Sequence, residues 1–270
     1  MLSQLVLQVA GVSKSFGGLQ ALNDVHLTIE RGQVYGLIGP NGAGKTTFFN
    51  VITGLYPADS GSFVLADHSY EPRDVHLVAK AGIARTFQNI ELFEHASVLH
   101  NLLIGRHVHQ HTGFWQQMLF LPSVRAEEIA TRRKVEEVID FLDLQHYRDT
   151  MVAGLPYGIR KVVELARALC TEPQLLLLDE PSSGLNVEET ADMAFWIQDI
   201  QKDLGITVLM VEHDMSLVSK VSDRVLAMNQ GEVLAVGTAA QVQSHPAVIE
   251  AYLGGTLDVS AFKRETTGAA

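Results

Sequence analysis

The sequence predicts an α/β fold with a mainly parallel sheet, an N-terminal antiparallel β segment and an inserted helical segment. Three continuous apolar runs, at residues 34–38, 175–178 and 206–211, indicate the parallel sheet. Continuous rather than alternating apolarity is typical of strands that are buried on both faces. Residues 96–167 show helical periods in place of strand patterns, and this change of character predicts the helical insertion.

Composition places the chain among ordinary globular proteins. It has 270 residues, of which 47% are hydrophobic and 19% are charged, and this length suits one large or two small domains. The 20 basic and 31 acidic residues give a formal net charge of −11, which argues weakly against a nucleic-acid-binding surface. Residues 1–11 lack the basic start of a signal peptide, and no apolar run is long enough for a membrane span. We therefore expect a soluble protein of a reducing compartment, in which the single cysteine, Cys170, is a small buried hydrophobe.

Two alternating segments near the N-terminus predict half-exposed strands. Residues 5–10 form the first, which we interpret as an edge strand, and residues 25–29 form the second. Between them, Phe16 precedes two glycines. An aromatic ring at that position could stack on a purine, or it could belong to the core.

Residues 39–47 carry the most specific motif in the chain. They read GPNGAGKTT, and Gly39, Gly44, Lys45 and Thr46 fit the G-x-x-x-x-G-K-[ST] phosphate-binding loop. An apolar strand precedes the loop and a helical pattern follows it, as the motif requires. The glycines allow positive φ, so backbone N–H groups can turn toward phosphate oxygens at a helix N-terminus. Lys45 would reach the β- and γ-phosphates, and the Thr46 hydroxyl would ligate Mg²⁺.

Residues 83–89 run from a short strand into a loop, and the helical insertion follows. Within it we predict helices at residues 98–104, 129–144 and 162–169. The apolar face of the second helix comprises Ile129, Val135, Val138, Ile139 and Leu142. Just before the third helix, Gly158 leaves the helix N-terminus approachable by an anion.

A histidine-rich stretch lies inside the insertion. His107, His109 and His111 alternate as metal ligands could, but neither a carboxylate nor a cysteine lies close in sequence, so we do not expect a metal site. The aromatic residues Phe114 and Trp115 follow. They could dock on a membrane-embedded partner or cover the core of the insertion itself.

Polar side chains follow two of the buried strands. Asp179 and Glu180 come directly after residues 175–178, and His213 follows residues 206–211. Ligands of open α/β sheets bind at the carboxyl ends of the strands. Two adjacent carboxylates are costly to bury there without Mg²⁺ or a proton-transfer task. Asp179 therefore suits a metal, and Glu180 suits the activation of water.

Taken together, these segments resemble the ATP-binding domains of ABC transporters over nearly the whole chain. The family motifs stand in order: Walker A at residues 39–46, the Q-loop glutamine Gln88, the signature position at residues 155–158, Walker B at residues 178–181, the D-loop at residues 184–186 and the switch histidine His213. Finer features resemble the branched-chain amino acid (Liv-type) importer ATPases. They are FGGLQAL at residues 16–22, ARTFQN at residues 84–89 and AYLG at residues 251–254.

The resemblance implies a P-loop NTPase (RecA-like) core and a single ATPase domain over residues 1–254. The core would comprise residues 1–95 and 171–254, with a helical subdomain at residues 96–170 and a tail at residues 255–270. The implied cofactors are ATP and Mg²⁺. ATP would contact Phe16, Gly39, Asn41, Gly42, Ala43, Gly44, Lys45, Thr46, Thr47, Gln88 and Gly158. Mg²⁺ would be held by Thr46, Gln88 and Asp179, and the catalytic residues would be Glu180, His213 and Lys45.

The signature position departs from the usual Leu-Ser-Gly-Gly-Gln. Pro156 replaces its serine, Tyr157 its first glycine and Ile159 its glutamine. The hydroxyl contact to the γ-phosphate of a partner subunit is therefore lost, and Gly158 and the helix N-terminus remain. We expect the ATP site that uses this signature to be the weaker of a pair.

The resemblance also implies where the protein works and with what. It would be a peripheral subunit on the cytoplasmic face of the inner membrane, coupling ATP hydrolysis to solute import. The implied partners are a second ATPase subunit (identical or different), transmembrane permease subunits and a periplasmic or extracellular solute-binding protein, with no nucleic acid. An exporter ATPase has the same chemistry and stays an alternative. So does a soluble ABC ATPase that acts on ribosomes or DNA, although this chain has neither the second domain nor the coiled-coil insertion usual there.

Overall fold

The computed structural model describes residues 5–72, 75–109, 118 and 122–254, whose strands form two sheets. The strands are β1 (Leu5–Phe16), β2 (Leu19–Glu30), β3 (Val34–Ile38), β4 (Ser60–Leu65), β5 (His68–Tyr70), β6 (Ile83–Arg85), β7 (Leu175–Asp179), β8 (Thr207–Val211), β9 (Arg224–Asn229) and β10 (Glu232–Gly237). Six form a sheet in the order β10-β9-β3-β8-β7-β6, which is parallel except for the pairing of β9 with β10. The other four form an antiparallel sheet in the order β2-β1-β4-β5. The predicted fold class is confirmed.

Helices cover the larger sheet, whose central strands are buried on both faces. The helices are α1 (Lys45–Ile52), α2 (Val75–Lys80), α3 (Val98–Gly105), α4 (Pro122–Phe141), α5 (Tyr157–Leu169), α6 (Val187–Lys202), α7 (Met215–Val221), α8 (Ala239–Gln243) and α9 (Pro246–Gly254). Alternate residues of the central strands enter two different cores. Leu177 and Leu209 pack in one core with α1 and the antiparallel sheet. Leu176 and Val208 pack in the other with α3 to α7. β3, β7 and β8 are buried along their whole length, as their continuous apolarity predicts.

The prediction of an edge strand at residues 5–10 is wrong. β1 runs on to Phe16 and lies between β2 and β4, with which it pairs on either side. An alternating pattern reports that one face of a strand is covered and the other is not. It carries no information on whether the backbone has one neighbour or two, so the position in the sheet could not follow from it.

The helices of the insertion differ from their predicted bounds. α4 spans Pro122–Phe141 in place of residues 129–144, and Ile129 on its predicted apolar face is 52% exposed. The first half of the helix is mostly exposed, whereas Val135 and Ile139 in the second half are buried. The helix stops near Asp143, whose φ of 55° is a left-handed conformation typical of helix C-termini. α5 begins at Tyr157, five residues before its predicted start at residue 162, so the last two residues of the signature position, Tyr157 and Gly158, lie in its first turn.

Other expectations from the sequence have mixed outcomes. Cys170 is buried, as predicted. His109 lies in a short 3₁₀ turn with its Nε2 2.8 Å from the carbonyl oxygen of Thr171. The tail at residues 255–270 lies outside the described residues, as do His111, Phe114 and Trp115. Among the helices in the described ranges, none combines the length and the apolarity needed to cross a bilayer.

Candidate nucleotide-binding site

Lys45 lies inside the loop that connects β3 to α1. It is the first residue of α1 and is 8% exposed. Its Nζ donates to the carbonyl oxygens of Gly39 (2.6 Å) and Pro40 (3.1 Å). Burial lowers the pKa of Lys45, while the charges of Glu180 and Asp179 act in the opposite direction. The loop lysine is therefore within electrostatic reach of both acids that end β7.

Close packing requires two glycines of the loop. Gly39 has a φ of 156°, and a Cβ on it would lie 2.3 Å from the carbonyl oxygen of Met228. Gly44 has a φ of 101°, and a Cβ there would lie 2.6 Å from the carbonyl oxygen of Ala21. In the rest of the motif, Asn41, Gly42 and Thr46 are exposed, Thr47 is partly exposed and Ala43 is buried. The loop thus presents the N-terminus of α1, where an anion is favoured.

The two acids at the end of β7 have different partners. Asp179 has a side chain that is 6% exposed, and its Oδ2 accepts a hydrogen bond from Nη2 of Arg85 at 2.8 Å. Arg85 ends the neighbouring strand β6, and its side chain is 8% exposed. The expectation that only a metal or a proton-transfer task would compensate these acids is therefore wrong for Asp179, because a buried arginine does so.

Glu180 brings together two residues from other segments. Its backbone is left-handed (φ 49°), which is uncommon for a residue with a side chain, and its N–H donates to the carbonyl of Val211 at 2.9 Å. Nε2 of Gln88 donates to Oε2 of Glu180 at 2.9 Å. Nδ1 of His213 lies 3.9 Å from Oε1 of the same carboxylate. The ends of β6, β7 and β8 thus place an amide, a carboxylate and an imidazole beside each other.

In the first turn of α5, Tyr157 is exposed and Gly158 is covered by a side chain of α6. A Cβ on Gly158 would lie 2.3 Å from Oε1 of Glu189, and Gly158 is buried. Glu189 also accepts from the backbone N–H of Asn186 at 2.9 Å, as part of the capping box of α6. A carboxylate of the same chain thus lies beside Gly158, whereas Pro156 and Tyr157 are exposed, and the approach of an anion to this terminus stays a prediction.

The sequence also matches two known protein families. Residues 22–183 match the family described as ABC transporter. The chain belongs to the ABC transporter family. Residues 232–258 also match the family described as branched-chain amino acid ATP-binding cassette transporter.

Two relatives of this ABC protein are similar over almost their full length. They are the high-affinity branched-chain amino acid transport ATP-binding proteins BraF of Pseudomonas aeruginosa and LivG of Escherichia coli K12. Each is 39% identical over 253 residues, which are 94% of this chain and 99% of the relative. The ADP conformation of an ATP-binding cassette of an ABC transporter has a TM-score of 0.81 and 31% identity, covering 93% of this chain and 100% of that one.

Phe16 lies at the outer end of β1 in this ABC fold. It is exposed, and its ring packs edge-on against Tyr56 with centroids 5.1 Å apart. Nζ of Lys14 lies 5.4 Å from the ring centroid. Of the two interpretations open from sequence, the core aromatic is therefore excluded, because much of the ring is in contact with solvent.

Several residues that organise the site of this ABC protein escape sequence analysis. Arg85 is one; the others are Lys161 and Glu164 on α5. Oε1 of Glu164 accepts from the N–H of Phe87 at 3.2 Å, and Nζ of Lys161 donates to the carbonyl of Gln88 at 3.3 Å. The sequence does offer one signal for these residues. Arg85 stands at the end of an apolar strand, and Lys161 and Glu164 stand among the apolar residues of a helix. A charge that is buried in such a place needs a partner.

Proposed function

We propose that this chain hydrolyses ATP as the motor subunit of an importer for branched-chain or related hydrophobic amino acids. The observation that carries the hydrolysis is the meeting of Gln88, Glu180 and His213 beside the loop of Lys45. The solute class is supported by the family match at residues 232–258 and by the names of BraF and LivG. The chemistry of the site alone does not specify a solute, since solute choice lies in other subunits.

ATP would bind with its phosphates in the loop before α1. Backbone N–H groups of Gly42 and Gly44 would face the phosphate oxygens, with Lys45 at the β- and γ-phosphates. Ala43 is also a proposed contact, although its N–H donates to the carbonyl of Pro40 at 3.1 Å in the described loop. The remaining contacts proposed for ATP are Gly39, Asn41, Thr46, Thr47 and Gln88, with Gly158 serving the site of a partner subunit. Phe16 would stack on the adenine, a role that its exposed ring allows.

The donor set near the phosphates fits Mg²⁺. Thr46 offers a hydroxyl, Asp179 a carboxylate and Gln88 an amide oxygen, because the hydrogen bond to Glu180 uses Nε2 of Gln88. Hard oxygen ligands of this kind suit Mg²⁺, which keeps waters and phosphate oxygens as its other ligands. When bound, Mg²⁺ would neutralise charge on the β- and γ-phosphates.

Hydrolysis would proceed by attack of water on the γ-phosphorus. Glu180 would accept a proton of that water as its oxygen attacks, and ADP would leave with the electron pair of the broken P–O bond. General-base catalysis of this kind is worth about 10²–10⁴-fold in rate. Gln88 would hold the Glu180 carboxylate, and His213 would contact the γ-phosphate and fix the position of the water.

The active assembly would be larger than this chain. We propose a single ATPase domain over residues 1–254, with a helical subdomain at residues 96–170, that pairs with a second ATPase subunit. Transmembrane permease subunits and a periplasmic or extracellular solute-binding protein would complete the importer. The chain would then be a peripheral subunit on the cytoplasmic face of the inner membrane.

Replacing Glu180 by glutamine tests the proposed role of the base. Glu180→Gln keeps the shape and one acceptor but removes the basic carboxylate, so we expect phosphate release to fall by about 10²-fold or more. ATP binding should stay, and an ATP-bound dimer should accumulate, which size-exclusion chromatography can detect. Glu250→Gln, on the exposed face of α9, is the matched control. Wild-type turnover in Glu180→Gln would remove Glu180 from the role of base.

The solute needs a separate experiment. The ATPase is purified with its membrane and binding-protein partners, and the complex is reconstituted in vesicles. Uptake of leucine, isoleucine and valine that depends on ATP is the expected result. Hydrolysis stimulated by another solute alone would refute the solute class and leave the ATPase assignment intact.

A further inference from the structure

Arg85 connects three elements of the nucleotide site through its guanidinium. Nη2 donates to Oδ2 of Asp179 at 2.8 Å. Nη1 donates to Oδ1 of Asn50 at 2.7 Å and lies 3.2 Å from Oγ1 of Thr53. Asn50 belongs to α1 and Thr53 caps it, so Arg85 ties the acid at the end of β7 to the helix that begins with the phosphate loop.

Neighbouring rings fix the plane of this guanidinium. Its carbon lies 5.1 Å from the ring centroid of Phe87 and 5.5 Å from that of Phe49. Phe87 is the residue before Gln88, so the contact also reaches the segment that approaches Glu180. A planar group that donates to three acceptors and contacts two rings has little freedom to rotate.

Stability alone does not account for this arrangement. A buried ion pair contributes little net stability, because desolvating both charges offsets their attraction. Nε of Arg85 is also buried, without a hydrogen-bond partner among the described residues, which is a further cost. An apolar pair at these positions would fill the same space without either penalty.

We propose that Arg85 is a positioning residue for the metal ligands of the site, an inference that rests on the proposed ATPase function. By holding Oδ2 of Asp179 it leaves Oδ1 as the oxygen for Mg²⁺. By also holding Asn50, Arg85 fixes the position of the Asp179 carboxylate relative to α1. Thr46 lies in the first turn of α1, so the two metal ligands keep a constant separation. Groups that orient metal ligands in this way typically change metal affinity about 10–100-fold when they are removed.

The test separates metal binding from nucleotide binding. A fluorescent ATP analogue is bound to the wild type, Arg85→Met and Arg85→Lys, first with EDTA and then over a Mg²⁺ titration. In Arg85→Met we expect the half-saturating Mg²⁺ concentration to rise about 10–100-fold, while binding with EDTA stays within about 2-fold of the wild type. Arg85→Lys keeps the charge but loses the fork of donors, so its shift should be smaller than that of Arg85→Met.

Arg106→Met is the matched control. Arg106 is also a buried arginine whose Nε has no hydrogen-bond partner among the described residues, and its Nη1 pairs with Glu172 at 2.8 Å. Glu172 precedes the start of β7, whereas Asp179 ends it, so this pair lies at the opposite end of the same strand. The control removes an equally buried arginine from an ion pair whose carboxylate, that of Glu172, is 45% exposed, and its Mg²⁺ dependence should equal that of the wild type.

Three results would overturn the inference. They are an unchanged Mg²⁺ dependence in Arg85→Met, an equal shift in Arg106→Met, or loss of analogue binding with EDTA, each of which indicates a merely structural role. If Arg85→Met does not fold, Arg85→Lys carries the test, and a wild-type Mg²⁺ dependence in it refutes the proposal. A wild type that binds no analogue at all would instead refute the proposed function.

Discussion

Single residues decide whether the loop before α1 holds phosphate, and Lys45 is the clearest case. Its Nζ is bonded to two carbonyls of its own loop and is close enough to Glu180 and Asp179 for their charges to act on its pKa. A cation held at this point would attract the phosphate oxygens of a nucleotide that binds in the loop. The side chain therefore contributes both the shape of the loop and its charge.

Lys45→Met removes the charge and keeps the length of the side chain. Hydrogen bonds to charged groups are worth about 1.5–3 kcal/mol, so we expect ATP to bind about 10–100-fold more weakly. Isothermal titration calorimetry measures this change directly. Lys202→Met, in the exposed last turn of α6, should bind ATP like the wild type. Unchanged ATP affinity in Lys45→Met would contradict the phosphate-loop assignment.

The sequence predicts the site residues that follow strands, and it misses those whose role depends on a partner far away in the chain. Lys45, Glu180 and His213 are predicted because each follows a buried strand, and parallel strands end at the same edge. Gln88 is predicted only through the resemblance to ABC transporter ATPases. Arg85 is missed because its role comes from Asp179, a partner 94 residues away in the chain. Such a pairing depends on which strands are neighbours, and a local pattern does not contain that information.

At the scale of elements, one face of α5 holds the loop that carries Gln88. Lys161, Glu164 and Arg167 recur every three residues and contact the backbone of residues 87–91. Nη1 of Arg167 donates to the carbonyl of Glu91 at 2.6 Å. Burial raises the pKa of Glu164, whereas the hydrogen bond from Phe87 and the charge of Lys161 oppose that rise. A movement of α5 would therefore displace Gln88, because these hydrogen bonds connect the helix to the backbone around that residue.

Glu164→Ala tests this connection. It leaves the N–H of Phe87 without its acceptor, at a cost of about 1–3 kcal/mol. Hydrogen exchange in the peptide that covers residues 85–91 should therefore become about 10–100-fold faster, as mass spectrometry can measure. Glu164→Gln keeps an acceptor in the same place and should exchange slowly. Equal exchange rates in Glu164→Ala and the wild type would show that α5 does not hold the loop.

The sequence predicts whether a segment is a helix or a strand more reliably than it predicts which strands are neighbours or where an element begins and ends. The buried strands β3, β7 and β8 are predicted because continuous apolarity leaves few other structures. The start of α5 is missed because Pro156 and Gly158 weaken the helical pattern locally, although proline suits the position before a first turn. Gly158 also lies close to Glu189 of α6, since a Cβ on it would be 2.3 Å from Oε1 of that residue, and this approach is not local in sequence.

At the scale of the whole molecule, the larger sheet separates two cores. Labelling of the Cys170 thiol measures how often one of these cores opens. Its thiol is buried where α5 ends, in the core that α3 to α7 share with the sheet. Burial raises the pKa of Cys170 to about 12, so little thiolate is present at pH 8 in the folded protein. We expect a thiol reagent at pH 8 to label native protein at least about 10³-fold more slowly than urea-unfolded protein, because exposure requires an opening that costs about 4 kcal/mol or more.

Nucleotide should slow that labelling, because ATP and Cys170 lie on elements that share the sheet. If the opening also disrupts the ATP site, then ATP at 100 times its Kd adds about 2.7 kcal/mol to the cost of opening and slows labelling about 100-fold. Lys45→Met, tested at the same ATP concentration, should slow labelling only about 2- to 11-fold, since that concentration is about 1–10 times its weaker Kd. Labelling that ATP leaves unchanged in the wild type would mean that the helices open independently of the nucleotide site. The two cores would then be separate cooperative units, and the contacts of α5 with residues 87–91 and with the carbonyl of Glu180 would remain as links from the site to the helices.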